Sequence, residues 1–385
     1  VQDIQSFIGN VEKFPILAEW DYFNHAGVAP LPDVAAEALR FYAAGASRSA
    51  YLHNGFYEQI EQVRTLCARL IHATAAEIAF VKNTSEGISI VARGIDWQWG
   101  DRIVTCGVEY PANIYPWMEV ERSRGARLVL VPEQQDADGA RRVPTEAILE
   151  AASDPKCRLV ALSHVQFASG QRMDLARIGT FCREQGKLFC VDAIQSLGVL
   201  PTDVQEFCID FLSADSHKWM LGPEGAGFFY CRAELLERVR PLMIGWNNVV
   251  DAQNYGNYDF TLKPDAGRFE CGTYNLPGIL AMGASIELLL GVGVEAIEKR
   301  VLELGDRLIQ GLRGKGYRIV SPRGAEASGS VCFISPQHDH KSVVRTLRRV
   351  HRTEIALREG RLRASPHFYN TEAQIDRLIR HLPGH

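Results

Sequence analysis

Two short segments carry side chains of the types that amine chemistry on a bound aldehyde requires. Val191-Asp192-Ala193-Ile194-Gln195 closes one apolar run, and Ser213-Ala214-Asp215-Ser216-His217-Lys218-Trp219 closes the next. Both runs read as strands of a parallel sheet. The carboxyl ends of such strands are where α/β sheets place ligands, so Asp192 and Lys218 are expected to share one cleft. A lysine amine forms a Schiff base with an aldehyde, and a carboxylate can hold a pyridine nitrogen protonated, which turns the ring into an electron sink. That pairing suits pyridoxal 5′-phosphate. A phosphate also needs a cradle, and Asn83-Thr84-Ser85-Glu86-Gly87 follows an apolar run and opens a helix. The free N–H groups and dipole at a helix start favour an anion, with the hydroxyls of Thr84 and Ser85 beside them. Ser and Thr at such a place are by themselves most often caps. The phosphate reading rests on their combination with Asp192 and Lys218.

With these segments in view, the sequence resembles the class V aminotransferase family of fold-type I pyridoxal-phosphate enzymes. That family includes cysteine desulfurases, cystine lyases, isopenicillin N epimerase-like proteins and, more distantly, kynureninase. The resemblance runs from Tyr22-Phe23-Asn24-His25-Ala26 to Tyr369-Asn370-Thr371. It is carried by Asp192-Ala193-Ile194-Gln195, Ser216-His217-Lys218, Arg268-Phe269-Glu270-Cys271-Gly272-Thr273 and Arg363-Ala364-Ser365. It implies that Lys218 is the Schiff-base lysine and proton shuttle, that Asp192 pairs with the pyridinium, and that Gln195 hydrogen-bonds the phenolic oxygen. Thr84, Ser85 and His217 match phosphate-side positions. Thr273 matches a threonine that reaches the phosphate of the neighbouring subunit, which implies a homodimer with shared active sites. Tyr110 matches the aromatic that stacks on the ring in kynureninase-like members, with Asn113 near the cofactor's polar edge. Arg363 matches the arginine that clamps the substrate α-carboxylate, a task suited to its planar fork, and so implies a small amino-acid substrate. His25 and Gln166, with Phe167, Tyr115, Trp246, Tyr274 and Asn275, are candidates by position for recognising the substrate side chain.

The sequence also departs from the desulfurase pattern. Desulfurases carry a nucleophilic cysteine on a loop shortly before the carboxylate arginine, and its thiolate takes the substrate sulfur. Here no cysteine follows Cys332, and Ala356–Arg363 is shorter than that loop. Pro111 stands where desulfurases have a histidine, and Phe167 where they have an asparagine. The expected activity is transamination or β-elimination of the cysteine or cystine lyase kind, through Lys218 and without a persulfide cysteine. Amino-acid epimerisation and kynureninase-like hydrolysis are the alternatives. A reading of another class is a non-catalytic pyridoxal-phosphate sensor or scaffold, against which the intact Lys218, Asp192 and Arg363 stand.

The elements that must position these residues are legible in the periodicity. Between residues 57 and 232, helical stretches alternate with short β-branched runs, the pattern of βαβ units. Strands are expected at Ile78–Lys82, Arg102–Val108, Arg127–Val131, Arg158–Ser163, Leu188–Asp192, Phe211–Ala214 and Gly227–Cys231. Helices are expected at Tyr57–His72, Glu86–Gly94, Asn113–Arg124 and Leu175–Glu184. The fold class is therefore α/β: a large domain with a mainly parallel seven-stranded sheet over residues 21–275, and a smaller α+β domain from residues 1–20 and 276–385. The Gly/Pro/Asn-rich stretch Gly245–Asp265 reads as a long excursion, and such loops are usually functional.

Composition narrows the classes further. The chain has 385 residues, 46% hydrophobic and 23% charged, with a formal net charge of −4 and scattered basic residues. That excludes a disordered chain and argues against a nucleic-acid partner. The apolar stretch Ile279–Leu290 is shorter than the roughly 20 residues a bilayer span needs. No secretory leader pattern opens the sequence, so a soluble, cytoplasmic protein without a membrane partner is expected. Nine cysteines without a CxxC pair read as free thiols in a reducing compartment, with no metal site. His338-Asp339-His340 reads as a solvated turn.

Overall fold

Seven runs rich in β-branched and aromatic residues hydrogen-bond edge to edge in the computed structural model, which describes residues 2–50, 52 and 55–384. They are β1 (Ile78–Val81), β2 (Arg102–Cys106), β3 (Arg127–Val131), β4 (Cys157–Ser163), β5 (Leu188–Asp192), β6 (Phe211–Asp215) and β7 (Gly227–Cys231). Their spatial order is β1-β7-β6-β5-β4-β2-β3. Within this sheet β7 runs antiparallel to both β1 and β6, and the remaining pairs are parallel. The carboxyl ends of β1, β4, β5 and β6 therefore open on one edge, and the amino end of β7 joins them there.

Strand residues alternate between the two faces of a sheet, and both faces are covered. Ile78, Phe80, Val160, Leu162, Phe189, Val191, Leu212 and Phe228 belong to one apolar core, and Ala79, Val81, Leu159, Ala161, Cys190, Phe211 and Phe229 to another. Burial on both faces explains why these runs read as nearly continuous apolar stretches. The helices are α1 (Asp33–Ser49), α2 (Phe56–Leu70), α3 (Thr84–Gly94), α4 (Tyr115–Arg124), α5 (Thr145–Ala152), α6 (Leu175–Glu184), α7 (Leu276–Val292), α8 (Val294–Gly314), α9 (His340–His351) and α10 (Glu372–His381). Residues of α2, α5, α6 and α7 complete the first core, and those of α3 and α4 the second. No single helix among the described residues is long and apolar enough to cross a membrane.

A second sheet is built from β8 (Arg318–Ile319), β9 (Val331–Ile334), β10 (Ala356–Arg358) and β11 (Arg361–Ala364), antiparallel in the order β8-β9-β11-β10. It packs with α8, α9 and α10 around Leu308, Leu312, Phe333, Leu347, Leu362 and Leu378. The N-terminal segment joins this unit. Asp21–Tyr22 pairs in parallel with Thr353–Glu354, and Ser365 N donates to the Phe23 carbonyl at 2.7 Å.

Two features go beyond the periodicity. Helix α1 buries only Ala35 and leaves Val34 and Phe41 exposed; it packs against α7. The hairpin β10–β11 is formed by arginine-rich strands joined at Glu359-Gly360, both with positive φ (47° and 72°). Two such residues make a tight turn that matches strand twist.

Candidate active site

The carboxyl edge of the main sheet meets the β10–β11 hairpin at a cavity of about 370 Å³. Its wall includes Thr84, Ser85, Tyr110, Asp192, Gln195, His217, Lys218 and Arg363, eight of the residues singled out in the sequence. Asn24, Phe167, Asp215 and Arg358 join them.

Each is placed by a nearby element. Asp192 is the last residue of β5 and is buried. Its Oδ1 accepts from Ile194 N at 3.0 Å, and Oδ2 has no hydrogen bond among the described residues. Burial pushes its carboxyl up to about 6, with the backbone bond and Lys218 pulling the other way. Lys218 follows β6, and its Nζ has no hydrogen-bonding or ionic partner among the described residues; the amine lies 5.6 Å from the Tyr110 ring centroid. Burial lowers its pKa to about 8, helped by Arg363 and Arg358 and opposed by Asp192 and Asp215. Gln195 is fixed at both ends of its amide: Nε2 donates to the Ala26 carbonyl at 3.0 Å, and Oε1 accepts from Trp219 Nε1 at 3.1 Å.

Thr84 and Ser85 form the first turn of α3, capped by Asn83 Oδ1, which accepts from Glu86 N at 2.9 Å. The N–H groups of Thr84 and Ser85 have no partner within the helix. Thr84 Oγ1 also accepts from Asp215 N at 3.0 Å, tying the helix start to the end of β6. Gly87 lets the two approach: a Cβ there would stand 2.2 Å from Ser213 Oγ. His217 Nδ1 lies 3.0 Å from Asp215 Oδ2, close enough for an ion pair although not aligned for a hydrogen bond.

Arg363 is 1% exposed. Its Nη1 donates to the Phe167 carbonyl at 2.9 Å, while Nε and Nη2 have no partner among the described residues. Burial lowers its pKa to about 10. A buried guanidinium with unused donors beside a cavity is a site for a carboxylate. Arg358 lies on the same wall. Its one hydrogen bond is to the Leu357 carbonyl, and it has no carboxylate partner among the described residues. Arg361, between them, is instead paired with Glu133 at 2.7 Å.

Four expected site residues stand outside this wall. His25 is fully buried with both ring nitrogens engaged, Nδ1 to the Ser365 carbonyl (2.8 Å) and Nε2 to the Tyr369 hydroxyl (2.5 Å). Burial and the neighbouring His367 push its pKa well down. Gln166 is turned inward and donates to Glu109 Oε1 at 2.8 Å. Asn113 Oδ1 accepts from Trp117 Nε1 at 2.9 Å, inside the protein. Thr273 is exposed and borders a separate cavity of about 330 Å³ with Lys82, Glu86 and Cys271. Among the other positional candidates, Phe167 lines the cavity, whereas Tyr115, Trp246, Tyr274 and Asn275 do not. None of the nine cysteines lines it, and seven are buried.

No group of three His, Cys, Asp or Glu side chains among the described residues is arranged to hold a metal ion. Asp339 caps α9 through Ser342 N, and His340 Nδ1 contacts the Gly360 carbonyl at 2.7 Å. Arg358 and Glu109 are the residues whose place the sequence left open. Both occur within motifs that were read, but their meaning depends on which partners they lack.

The donor set fits pyridoxal 5′-phosphate: an unpaired amine, a buried carboxylate with a free oxygen, and a helix start with two hydroxyls on one cavity. Comparisons with known proteins bear on the same cofactor through family and fold. A curated relative, a probable cysteine desulfurase of Methanothermobacter thermautotrophicus, is 32% identical over 394 residues, covering 94% of each chain. The solved apo structure of a cysteine desulfurase from Thermococcus onnurineus NA1 superposes with a TM-score of 0.88 at 25% identity, covering 99% of this chain and 97% of that one. The cystine C–S lyase C-DES, solved with its product cysteine persulfide, superposes with a TM-score of 0.86 at 26% identity, covering 95% and 98%. A mutant of C-DES carries glycine linked to its pyridoxal-phosphate cofactor. The aminotransferase class-V profile matches residues 22–378. The chain therefore belongs to the class V aminotransferase family, with the fold-type I architecture of pyridoxal-phosphate enzymes.

Proposed function

We propose that this pyridoxal-phosphate enzyme cleaves a sulfur-containing amino acid of the cystine type by β-elimination, without a persulfide on its own cysteine. The observation that carries the reading is the hairpin. Where desulfurases place their cysteine loop, this chain has the two-residue turn Glu359-Gly360, and no cysteine lines the cavity. Two arginines without carboxylate partners, Arg358 and Arg363, flank that turn. Cystine has two α-carboxylates to offer them.

The cofactor, when bound, supplies an aldehyde for the amine and an electron sink for the bond-breaking steps. Lys218 would hold the aldehyde and then take the Cα proton of the substrate. Asp192 would stay ionised against a protonated ring nitrogen, which offsets its burial. Gln195, fixed at both ends, would face the ring's oxygen, and Tyr110 would cover the ring. Thr84, Ser85 and His217 would hold the phosphate at the start of α3. Arg363 would take the reacting carboxylate through Nε and Nη2, and Arg358 the distal one. Loss of the Cα proton and cleavage of the Cβ–S bond release cysteine persulfide; water converts the remainder to pyruvate and ammonia. Phe167 and Tyr110, in edge contact at 5.3 Å between centroids, would restrict water.

Thr273 is proposed to serve the phosphate of a second copy in a homodimer. Its exposed position outside the Lys218 cavity supports that reading, as do the exposed aromatics Tyr255, Tyr258 and Phe260 of the Gly245–Asp265 excursion, which a second copy would cover.

The test is a product assay of the reconstituted enzyme with cystine, with cysteine, and with alanine plus a keto acid. Pyruvate and ammonia in equal amounts from cystine, with a persulfide, are expected. Alanine from cysteine would signify desulfuration, and amino exchange dependent on the keto acid would signify transamination; either would displace this reading.

A further inference from the structure

The cavity wall that carries Tyr110 and Phe167 is held from behind by a carboxylate with no part in the chemistry above. Glu109 is 7% exposed. Its Oε1 accepts from Ser163 N (2.7 Å) and Gln166 Nε2 (2.8 Å), and its Oε2 is hydrogen-bonded by Ser163 Oγ. No cation faces it. The titratable groups around it are Asp192 and Cys190 on β5 and Cys106 on β2. A buried carboxylate without a counter-charge is costly, and burial raises its pKa to about 7. Its three hydrogen bonds lead to the functional wall. Ser163 ends β4 directly opposite Asp192 in the strand register. Gln166 precedes Phe167, whose carbonyl holds Arg363 Nη1 at 2.9 Å. Tyr110, next to Glu109 in sequence, meets the Phe167 ring edge to face.

We propose that Glu109 is a positioning residue: it locks the Ser163–Phe167 segment against Tyr110 and so sets where the Arg363 guanidinium stands relative to Lys218. The inference rests on Arg363 being the carboxylate clamp. Gln166, expected from the sequence to touch substrate, is on this account the other half of the lock.

The test compares the holoenzymes Glu109→Ala, Glu109→Gln, Gln166→Leu and Arg363→Lys. In Glu109→Ala, KM for cystine rises about tenfold or more while kcat stays within about threefold of wild type, the pattern of a weakened clamp that holds substrate and transition state alike. The dissociation constant of succinate, an unreactive dicarboxylate, rises in parallel by calorimetry. Glu109→Gln, whose amide oxygen can still accept from Ser163 N and Gln166 Nε2 while its NH2 donates to Ser163 Oγ, keeps both values within about threefold of wild type; Gln166→Leu, which removes the donor, raises both and carries the test if Glu109→Ala does not fold. The inference is overturned if folded Glu109→Ala keeps the wild-type KM, if kcat falls while KM holds, if Glu109→Gln behaves like Glu109→Ala, or if folded Gln166→Leu keeps the wild-type KM. If Arg363→Lys leaves KM and the succinate constant unchanged, the clamp reading fails and takes this inference with it. If Arg363→Lys raises both and Glu109→Ala and Gln166→Leu do not, only this inference falls.

Discussion

Lys218 is a lysine whose surroundings work against its charge. Capture of an aldehyde needs the neutral amine, and an ordinary lysine becomes largely neutral only above pH 10. With burial, Arg363 and Arg358 lowering its pKa to about 8, cofactor uptake by the apo-protein should be half-maximal near pH 8 and level off about one unit above. Stopped-flow visible absorbance reads this directly. Arg358→Gln removes one of the depressing charges, so the midpoint should move to higher pH; a wild-type midpoint near 10 would contradict the account. Lys218→Ala should remove both the visible band of the bound cofactor and all turnover, and retained turnover would refute its role. At this scale the sequence is informative where a residue's meaning is local. Asp192, Lys218 and Thr84 sit where strands stop, and strand ends can be read from a run of apolar residues. Arg358 and Glu109 were opaque for the opposite reason. One matters because no carboxylate reaches it and the other because no cation does, and both depend on chain segments far away in sequence. His25 and Gln166 show the same limit, since polar type suggests contact with substrate but burial commits both to internal partners.

The element on which the proposed chemistry rests is the β10–β11 hairpin. Its turn depends on Gly360 at φ 72°, a conformation that costs a side-chain-bearing residue about 1–2 kcal/mol, with a β-branched one at the upper end. Gly360→Val should lower stability by about that amount in denaturant titration and raise KM for cystine more than it lowers kcat, because Arg358 and Arg363 flank the turn. Unchanged KM in the destabilised variant would detach the hairpin from substrate binding. In the main sheet, Phe229→Ala on β7 removes a wholly buried ring and should cost about 3–5 kcal/mol, read as a lower thermal midpoint. β3, β5, β7 and α6 occupy the spans expected from the sequence: β5 and β7 are apolar runs buried on both faces, β3 is a short β-branched run at the sheet edge, and α6 buries Leu175, Ile178 and Cys182 at helical spacing. Helix α1 and the hairpin escaped that reading: one buries only Ala35 and leaves Val34 and Phe41 exposed, and the other is built of arginines that periodicity treats as surface.

For the molecule as a whole, the mainly parallel sheet, the second sheet and the cavity between them follow the family architecture. The proposed sharing of sites between two copies has a sharp consequence. Lys218→Ala and Thr273→Asp would each spoil a site, but through different subunits. A mixed dimer of the two would contain one site with Lys218 from one chain and Thr273 from the other, both intact. Unfolding and refolding the two inactive variants together should recover activity that neither has alone, and no recovery would rule out a shared site. The cysteines carry a different consequence. Seven of nine are sealed inside the protein, with burial raising their pKa values, and a thiol that cannot ionise is a poor nucleophile. If the enzyme liberates reactive sulfur as proposed, these seven thiols stay out of reach of what it makes, and with no cysteine on the chamber wall the product meets nothing there to scavenge it.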